Sequence, residues 1–200
     1  MNINKKNIIT KLCISFILII TVVVGYVPIP NYMKELTFIS NFLLGALFLI
    51  SSIRIITGKK DFPNIIYSSG VVTIMFVFFI CAGSLSGIYH MNYKGAFFFL
   101  HFVNPFLVLI YYLLYIKEDK LEYKKILLTP CFVLFYMLID LVLGKLTGNF
   151  IYGFFKPSRF TIPKAAITGI VLYIMLVIIG YSIFLLNINI HRIKHPPNNN

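Results

Sequence analysis

The feature that most constrains this chain is a series of nearly continuous apolar runs, each about as long as a bilayer is thick. A helix that crosses a membrane needs about 20 mostly apolar residues, and the 200 residues hold several such stretches with short connections between them. Only 12% of the residues are charged, whereas a soluble domain carries roughly 25%. The sequence therefore predicts an all-α polytopic membrane protein, a bundle of about six transmembrane helices with lipid as its solvent.

The predicted spans form one transmembrane domain over residues 1–190, followed by a disordered cytoplasmic tail at 191–200. Strands are excluded because the runs are continuous rather than alternating. The first run is interpreted as a retained helix and not a signal peptide, since Tyr26 and Pro28 follow it in place of a small-residue cleavage site. The predicted spans are 8–27, 36–57, 65–88, 95–116, 126–143 and 165–187.

The basic residues predict an orientation. The chain has a formal net charge of +12, but its Lys and Arg residues lie in short clusters between apolar runs, so no basic face for nucleic acid is present. With the N-terminus inside, 12 of the 18 Lys and Arg residues fall on the inner side. The positive-inside rule then predicts a multi-pass protein of the cell membrane with both termini in the cytoplasm. The last outer connection is nevertheless basic, with Lys156 and Arg159 among its residues.

Neither a metal nor a cofactor is predicted. The three cysteines each lie inside an apolar run without paired spacing, which is typical of small helix residues. Metalloprotease and phosphate-loop motifs are absent from the sequence. The excess of Lys over Arg, with abundant Asn and Ile, indicates an AT-rich bacterial genome.

Polar residues inside the spans are the candidate functional residues, because such side chains are costly in lipid. Thr37 and Asn41 are four residues apart and share one helix face. His101 and Asn104 are three apart on another helix, and Asp140 lies in the fifth span. The predicted orientation places all of them near the outer ends of the second, fourth and fifth helices, where they form one polar cluster.

Each of these residues also has a structural explanation. Thr37 is a good helix N-cap residue, and Asn41 can join two helices by a hydrogen bond. His101 can be a neutral side chain bonded to Asp140 or Asn104. Asp140 can lie close enough to the headgroups to be solvated.

Three short motifs resemble the androgen-induced-gene family of multi-pass membrane proteins, which includes bacterial six-helix relatives. They are the helix opening Leu36-Thr37-Phe38-Ile39, the pair His101 and Pro105, and the loop motif Tyr152-Gly153-Phe154-Phe155, where Gly153 stands in place of the family's usual Pro. The resemblance implies a threonine hydrolase of fatty-acyl esters, with Thr37 as nucleophile and His101 as its base.

In that mechanism His101 takes the proton of Thr37, whose oxygen attacks an ester carbonyl, and water later releases the acyl group. Asn41 or Asn104 is expected to bind the oxyanion, and Asp140 to orient His101. Lys156 and Arg159 are expected to hold the headgroup of a lipid in the outer leaflet.

Two other functions stay open. A small proton or solute transporter would place His101 and Asp140 on its path. A non-catalytic partner or sensor subunit of an envelope complex would need neither residue for chemistry. The predicted partners are membrane lipids in every case, with a lipid ester as substrate in the first.

Overall fold

The computed structural model describes residues 3–84, 95–151 and 161–194. Regular structure within these ranges is helical, and six helices are long and apolar enough to cross a membrane. This confirms the predicted all-helical architecture with six helices of membrane-spanning length. The helices are α1 Ile3–Tyr26, α2 Leu36–Ile56, α3 Asn64–Ser84, α4 Gly95–Tyr115, α5 Tyr123–Thr147 and α6 Ile162–Lys194.

The last two helices are longer than predicted. Helix α5 consists of Tyr123–Leu128 and Cys131–Thr147, separated by a turn at Pro130. It continues past residue 143 until Gly148, whose φ of 74° gives the left-handed cap that glycine adopts without strain. Helix α6 has 33 residues, or about 50 Å at 1.5 Å per residue, which exceeds the bilayer core of about 30 Å. It continues to Lys194 through the predicted start of the tail at 191, and residues 195–200 lie outside the described ranges.

The outward faces of the helices are apolar, whereas those of a soluble protein are polar. Large hydrophobic side chains are exposed along the helices, for example Phe16 on α1, Phe135 on α5 and Ile167 on α6. Such a surface needs an apolar solvent. This accounts for the low proportion of charged residues and supports a multi-pass membrane protein.

The interior combines an apolar core with close helix contacts. Leu18, Phe48 and Val108 are fully or almost fully buried in its middle. Gly45 brings α2 against α1, since an added Cβ would lie 2.8 Å from a side-chain atom of Ile19. Close contacts at small residues are the usual way in which membrane helices associate.

Buried polar residues gather at the two ends of this core. The Thr37 cluster consists of Thr21, Thr37, Asn41, His101 and Asn104. The Lys11 cluster lies at the opposite end of α1 and α2 and consists of Lys11, Ser51, Asp61, Tyr67 and Tyr111. Because the six helices alternate in direction, α1 begins and α6 ends at the Lys11 end of the bundle.

Candidate functional site

Thr37 and His101 are in direct contact. The Thr37 hydroxyl oxygen lies 3.3 Å from Nε2 of His101, across 64 residues of sequence. Thr37 stands in the first turn of α2, and Glu35 rather than Thr37 occupies the N-cap position. The Thr37 side chain therefore faces His101 instead of capping its own helix.

The tautomer of His101 follows from its second contact. Nδ1 lies 3.0 Å from the carbonyl oxygen of Phe97, and a carbonyl oxygen only accepts, so Nδ1 carries the proton. The ring is also stacked on Phe97, with ring centroids 4.1 Å apart. Nε2 then presents a lone pair to Thr37, whose hydroxyl donates to it. This is the arrangement that a general base needs toward a nucleophile.

A π-helical turn in α4 carries His101. The turn covers Phe99–Val103, and the Asn104 N–H donates to the Phe99 carbonyl, five residues earlier. Pro105 has no N–H for the next acceptor in this register, the Leu100 carbonyl. The side-chain amide of Asn41 lies 3.4 Å from that carbonyl and donates to it. Single π turns in α-helices are frequent at functional sites, and here the turn and Asn41 together fix the position of His101 relative to α2.

The two asparagines form one buried hydrogen-bond chain. Nδ2 of Asn41 donates to the Thr37 carbonyl at 2.8 Å as well as to Leu100. Nδ2 of Asn104 donates to Oδ1 of Asn41 at 2.7 Å and to the Thr21 hydroxyl at 2.9 Å. Both amide N–H groups of each residue are thus occupied, so in this arrangement neither residue has an N–H free for the oxyanion that it was expected to bind. Oδ1 of Asn104 is buried and has no partner among the described residues.

The start of α2 offers other donors for an oxyanion. The first N–H groups of a helix have no acceptor within it and lie at the positive end of its dipole. In the described ranges the N–H groups of Thr37 and Phe38 have no hydrogen-bond partner. A carbonyl attacked by Thr37 would therefore develop its negative charge beside these groups.

Asp140 makes a different contact from the expected one. Its Oδ1 accepts the N–H of Ile151 at 2.8 Å, which ties α5 to the connection that follows it. The Nδ1 atom of His101 that Asp140 was expected to orient is already bonded to Phe97. The structure therefore assigns the orientation of His101 to a backbone carbonyl. Lys156 and Arg159 lie outside the described residues, as does the Tyr152-Gly153-Phe154-Phe155 motif.

Comparison of the chain with protein-family models, curated proteins and solved structures gives no match.

The Lys11 cluster is a second polar site that the sequence did not indicate. Lys11 is fully buried, and its ammonium group forms an ion pair with Asp61. It also donates to the Ser51 hydroxyl at 2.5 Å and to the Tyr67 hydroxyl at 3.0 Å. The rings of Tyr67 and Tyr111 lie 5.0 and 5.9 Å from the charge, close enough for cation–π attraction.

Asp61 completes this cluster from the α2–α3 connection. Its carboxylate accepts from Ser51 at 2.5 Å, from Tyr67 at 2.7 Å and from the backbone N–H of Phe62 at 2.7 Å. Burial tends to raise the pKa of this carboxyl, but the hydrogen bonds from Lys11, Ser51, Tyr67 and Phe62 outweigh it and hold the pKa below the usual value. The Ser51 hydroxyl accepts from Lys11 and Tyr67 and donates to Asp61, so all its hydrogen-bonding positions are used within the cluster. The cluster is best explained as a structural junction.

Asn187 is a third buried polar residue, at the same end of the bundle as the Lys11 cluster. The Asn187 side chain accepts the N–H of Glu118 at 3.1 Å and donates to the carbonyls of Tyr112 and Ile116 at 3.1 and 2.8 Å. It thereby binds the Tyr112 carbonyl in the last turn of α4, which also accepts the N–H of Ile116, and the Ile116 carbonyl just after the helix. Among the described residues no group of three or more His, Cys, Asp or Glu side chains is placed to hold a metal ion.

Proposed function

We propose that this protein is an intramembrane hydrolase of lipid esters that uses Thr37 as nucleophile and His101 as general base. The supporting observation is the 3.3 Å contact between the Thr37 hydroxyl and Nε2 of His101, together with the Nδ1 contact that leaves Nε2 as an acceptor. The motif resemblance to the androgen-induced-gene family supports the same pair. In the proposed orientation the site lies in the outer leaflet, with the termini in the cytoplasm.

The reaction begins with acyl transfer to the protein. His101 takes the hydroxyl proton as the Thr37 oxygen attacks the ester carbonyl, and the alcohol leaves with that proton. The N–H groups of Thr37 and Phe38 are the donors for the oxyanion. Water then cleaves the acyl-Thr37 ester and regenerates the hydroxyl.

An apolar cleft supports a fatty-acyl substrate. It lies between α2 and α3 beside Phe132 of α5, with a volume of about 370 Å³. Ser40 lines it, one helical turn from Thr37, and Leu47 and Ile66 are among the aliphatic residues farther along it. Thr37 is not among the lining residues, and Ser40 is the lining residue nearest to it along α2. The apolar lining fits one acyl chain of a lipid ester.

Labelling by a fluorophosphonate probe tests the proposal, because the probe reacts with an activated hydroxyl. The purified protein in lipid nanodiscs is expected to be labelled at Thr37. Thr37→Ala should abolish the label, and His101→Gln should slow it by roughly 10²–10⁴-fold, the usual contribution of a general base. Thr129→Ala is the matched control, since Thr129 is also buried, its hydroxyl donates to the carbonyl of Ile126, and it does not line the cleft.

The other two functions give different results in the same experiment. A transporter would leave the wild type unlabelled and show pH-dependent flux in liposomes that is lost in His101→Ala. A non-catalytic subunit would show neither labelling nor flux, and would instead co-purify with a stable partner. Labelling that persists in Thr37→Ala would contradict the assignment of the nucleophile.

A further inference from the structure

The side chain of Asn104 has one acceptor atom without a partner in the part of the chain that the structure describes. Its orientation is determined by its neighbours, because the Thr21 hydroxyl donates its own hydrogen to backbone carbonyls of α1 and presents only its oxygen to Asn104. The amide of Asn41 is likewise fixed, with Nδ2 against two carbonyls, so its Oδ1 faces Asn104. Turning the Asn104 amide would place an acceptor against these two acceptors. Oδ1 of Asn104 therefore points away from both, buried and unpaired.

An unpaired buried acceptor is costly enough to require an explanation. Leaving one without a hydrogen bond costs the desolvation free energy of that group, with no bond to offset it. Buried polar groups that lack a protein partner are commonly satisfied by an internal water molecule. The polar lining of the Thr37 cluster is the environment in which such a water is stable.

Asn104 and His101 contact neighbouring residues of α2. His101 bonds to Thr37 and Asn104 bonds to Asn41, and these two partners are four residues apart on α2. Residues at that spacing are neighbours on one helix face, about 5–6 Å apart at Cβ. His101 and Asn104 thus present their side chains to the same stripe of α2. One water that makes two hydrogen bonds of about 2.8 Å joins Oδ1 of Asn104 and Nε2 of His101 if these atoms lie within about 5.6 Å of each other.

We propose that Oδ1 of Asn104 and Nε2 of His101 bind the water that hydrolyses the acyl-Thr37 ester, an inference that rests on the proposed function. In the acylated protein the Thr37 oxygen has no hydrogen, so Nε2 is released from its contact with the hydroxyl. The water donates one hydrogen to Nε2 and the other to Oδ1 of Asn104. Its oxygen attacks the acyl carbonyl, Nε2 takes one proton, and the bond from the carbonyl carbon to the Thr37 oxygen breaks. The proton passes from Nε2 to Thr37, and a free carboxylic acid leaves.

This role separates the two halves of the reaction. Acylation needs Thr37 and His101, whereas deacylation also needs Asn104. Asn104→Leu also removes the bond from Nδ2 to Asn41, but it should slow fluorophosphonate labelling much less than it slows ester turnover. Ester turnover should fall by about 10²-fold, as for removal of one positioned hydrogen-bonding group, and acyl-Thr37 should accumulate in intact-protein mass spectra.

Asn187→Leu is the matched control for loss of a buried amide. Asn187 is as buried as Asn104, but all its hydrogen bonds are to the backbone of α4 and its following connection. We expect it to lower stability without accumulation of acyl-protein. If Asn104→Leu lowers labelling and turnover by the same factor, or leaves turnover unchanged, Asn104 does not bind the hydrolytic water.

A structure at about 2 Å resolution tests the water site without any reaction. We expect a density peak within 3.2 Å of Oδ1 of Asn104, on the side of His101, that disappears in Asn104→Leu. A missing peak in the wild type would overturn the inference even if Thr37 is labelled. An unlabelled Thr37 with the peak present would instead reject the hydrolase and leave a structural water.

Discussion

Lys11 of α1 and Asp61 of the α2–α3 connection form an ion pair at the end of the bundle opposite to Thr37. The lysine is completely buried, whereas the side chain of Asp61 is 29% exposed. A charged lysine within a membrane helix costs about 2.5–3.5 kcal/mol on insertion scales. Its three donors are all used, on Ser51, Asp61 and Tyr67, which joins α1, α2 and α3 through one charge.

The two halves of this pair are expected to respond unequally to mutation. Asp61→Asn leaves the Lys11 charge buried without its counter-charge, and we expect a loss of about 3 kcal/mol of unfolding free energy, the lower end for a broken buried pair. Lys11→Met leaves Asp61 partly solvated and should cost less. The double variant should be more stable than Asp61→Asn alone. Reversible unfolding in mixed micelles measures all four proteins, and additive losses would show that the two charges are not coupled.

The Lys11–Asp61 pair also predicts that the free energy of unfolding depends on pH. The pKa of Asp61 in the folded protein lies below its usual value of about 3.9. A lowered pKa gives a stabilising contribution that is complete above the unfolded value and is lost as the pH falls through the folded value. Thermal unfolding between pH 2 and 7 should therefore show an acid-side decrease that is smaller in Asp61→Asn. Parallel profiles for the two proteins would exclude Asp61 as a source of the decrease.

The apolar cleft predicts selectivity for acyl-chain length. Leu47→Trp replaces an aliphatic side chain that lines the cleft with a bulkier indole ring. Turnover of long-chain esters should fall at least tenfold, while turnover of acetyl or butyryl esters stays near the wild-type value. Leu49→Trp is the control, since Leu49 is exposed on the same helix. Because the natural chain has no tryptophan, the new indole also reports chain binding by its fluorescence. Equal losses for short and long esters would place the acyl chain elsewhere.

The helices could be predicted from the sequence because lipid imposes a simple requirement. Each span must satisfy its backbone internally and remain apolar for about 20 residues, and this shows in the chain without knowledge of its tertiary contacts. The face shared by Thr37 and Asn41 was predictable for the same reason, since helical spacing alone determines it. The catalytic roles of Thr37 and His101 stay predictions.

Other features depend on tertiary contacts, which helical spacing does not predict. The sequence predicts Lys11 as one of the basic residues on the inner side, but it reveals neither the fold-back of the α2–α3 connection nor the approach of Asp61. Pro105 indicates a disturbed helix, yet the choice of a π turn depends on the amide of Asn41 from α2. The partner of Asp140 is a backbone N–H of the following connection, which no side-chain pattern specifies.

Gly25 holds the Thr37 cluster together through a close approach of two helices. A Cβ added there would lie 2.8 Å from Cδ1 of Leu100 and 3.1 Å from Cβ of Ala96. Leu100 can turn aside, but the Cβ of Ala96 is attached directly to the backbone, so Gly25→Val should move α4 away from α1. Since Leu100 directly precedes His101, we expect the Thr37–His101 contact to lengthen and labelling of Thr37 to slow at least tenfold.

The control for Gly25→Val is Gly169→Val in α6, where an added Cβ would meet no atom within 4 Å. Both changes add the same side chain to a membrane helix, so they share any effect on insertion. Labelling rates and unfolding midpoints are measured for each in nanodiscs. A Gly25→Val protein that is labelled as fast as the wild type would show that the packing of α1 on α4 does not position His101, and would leave the π turn and Asn41 as its determinants.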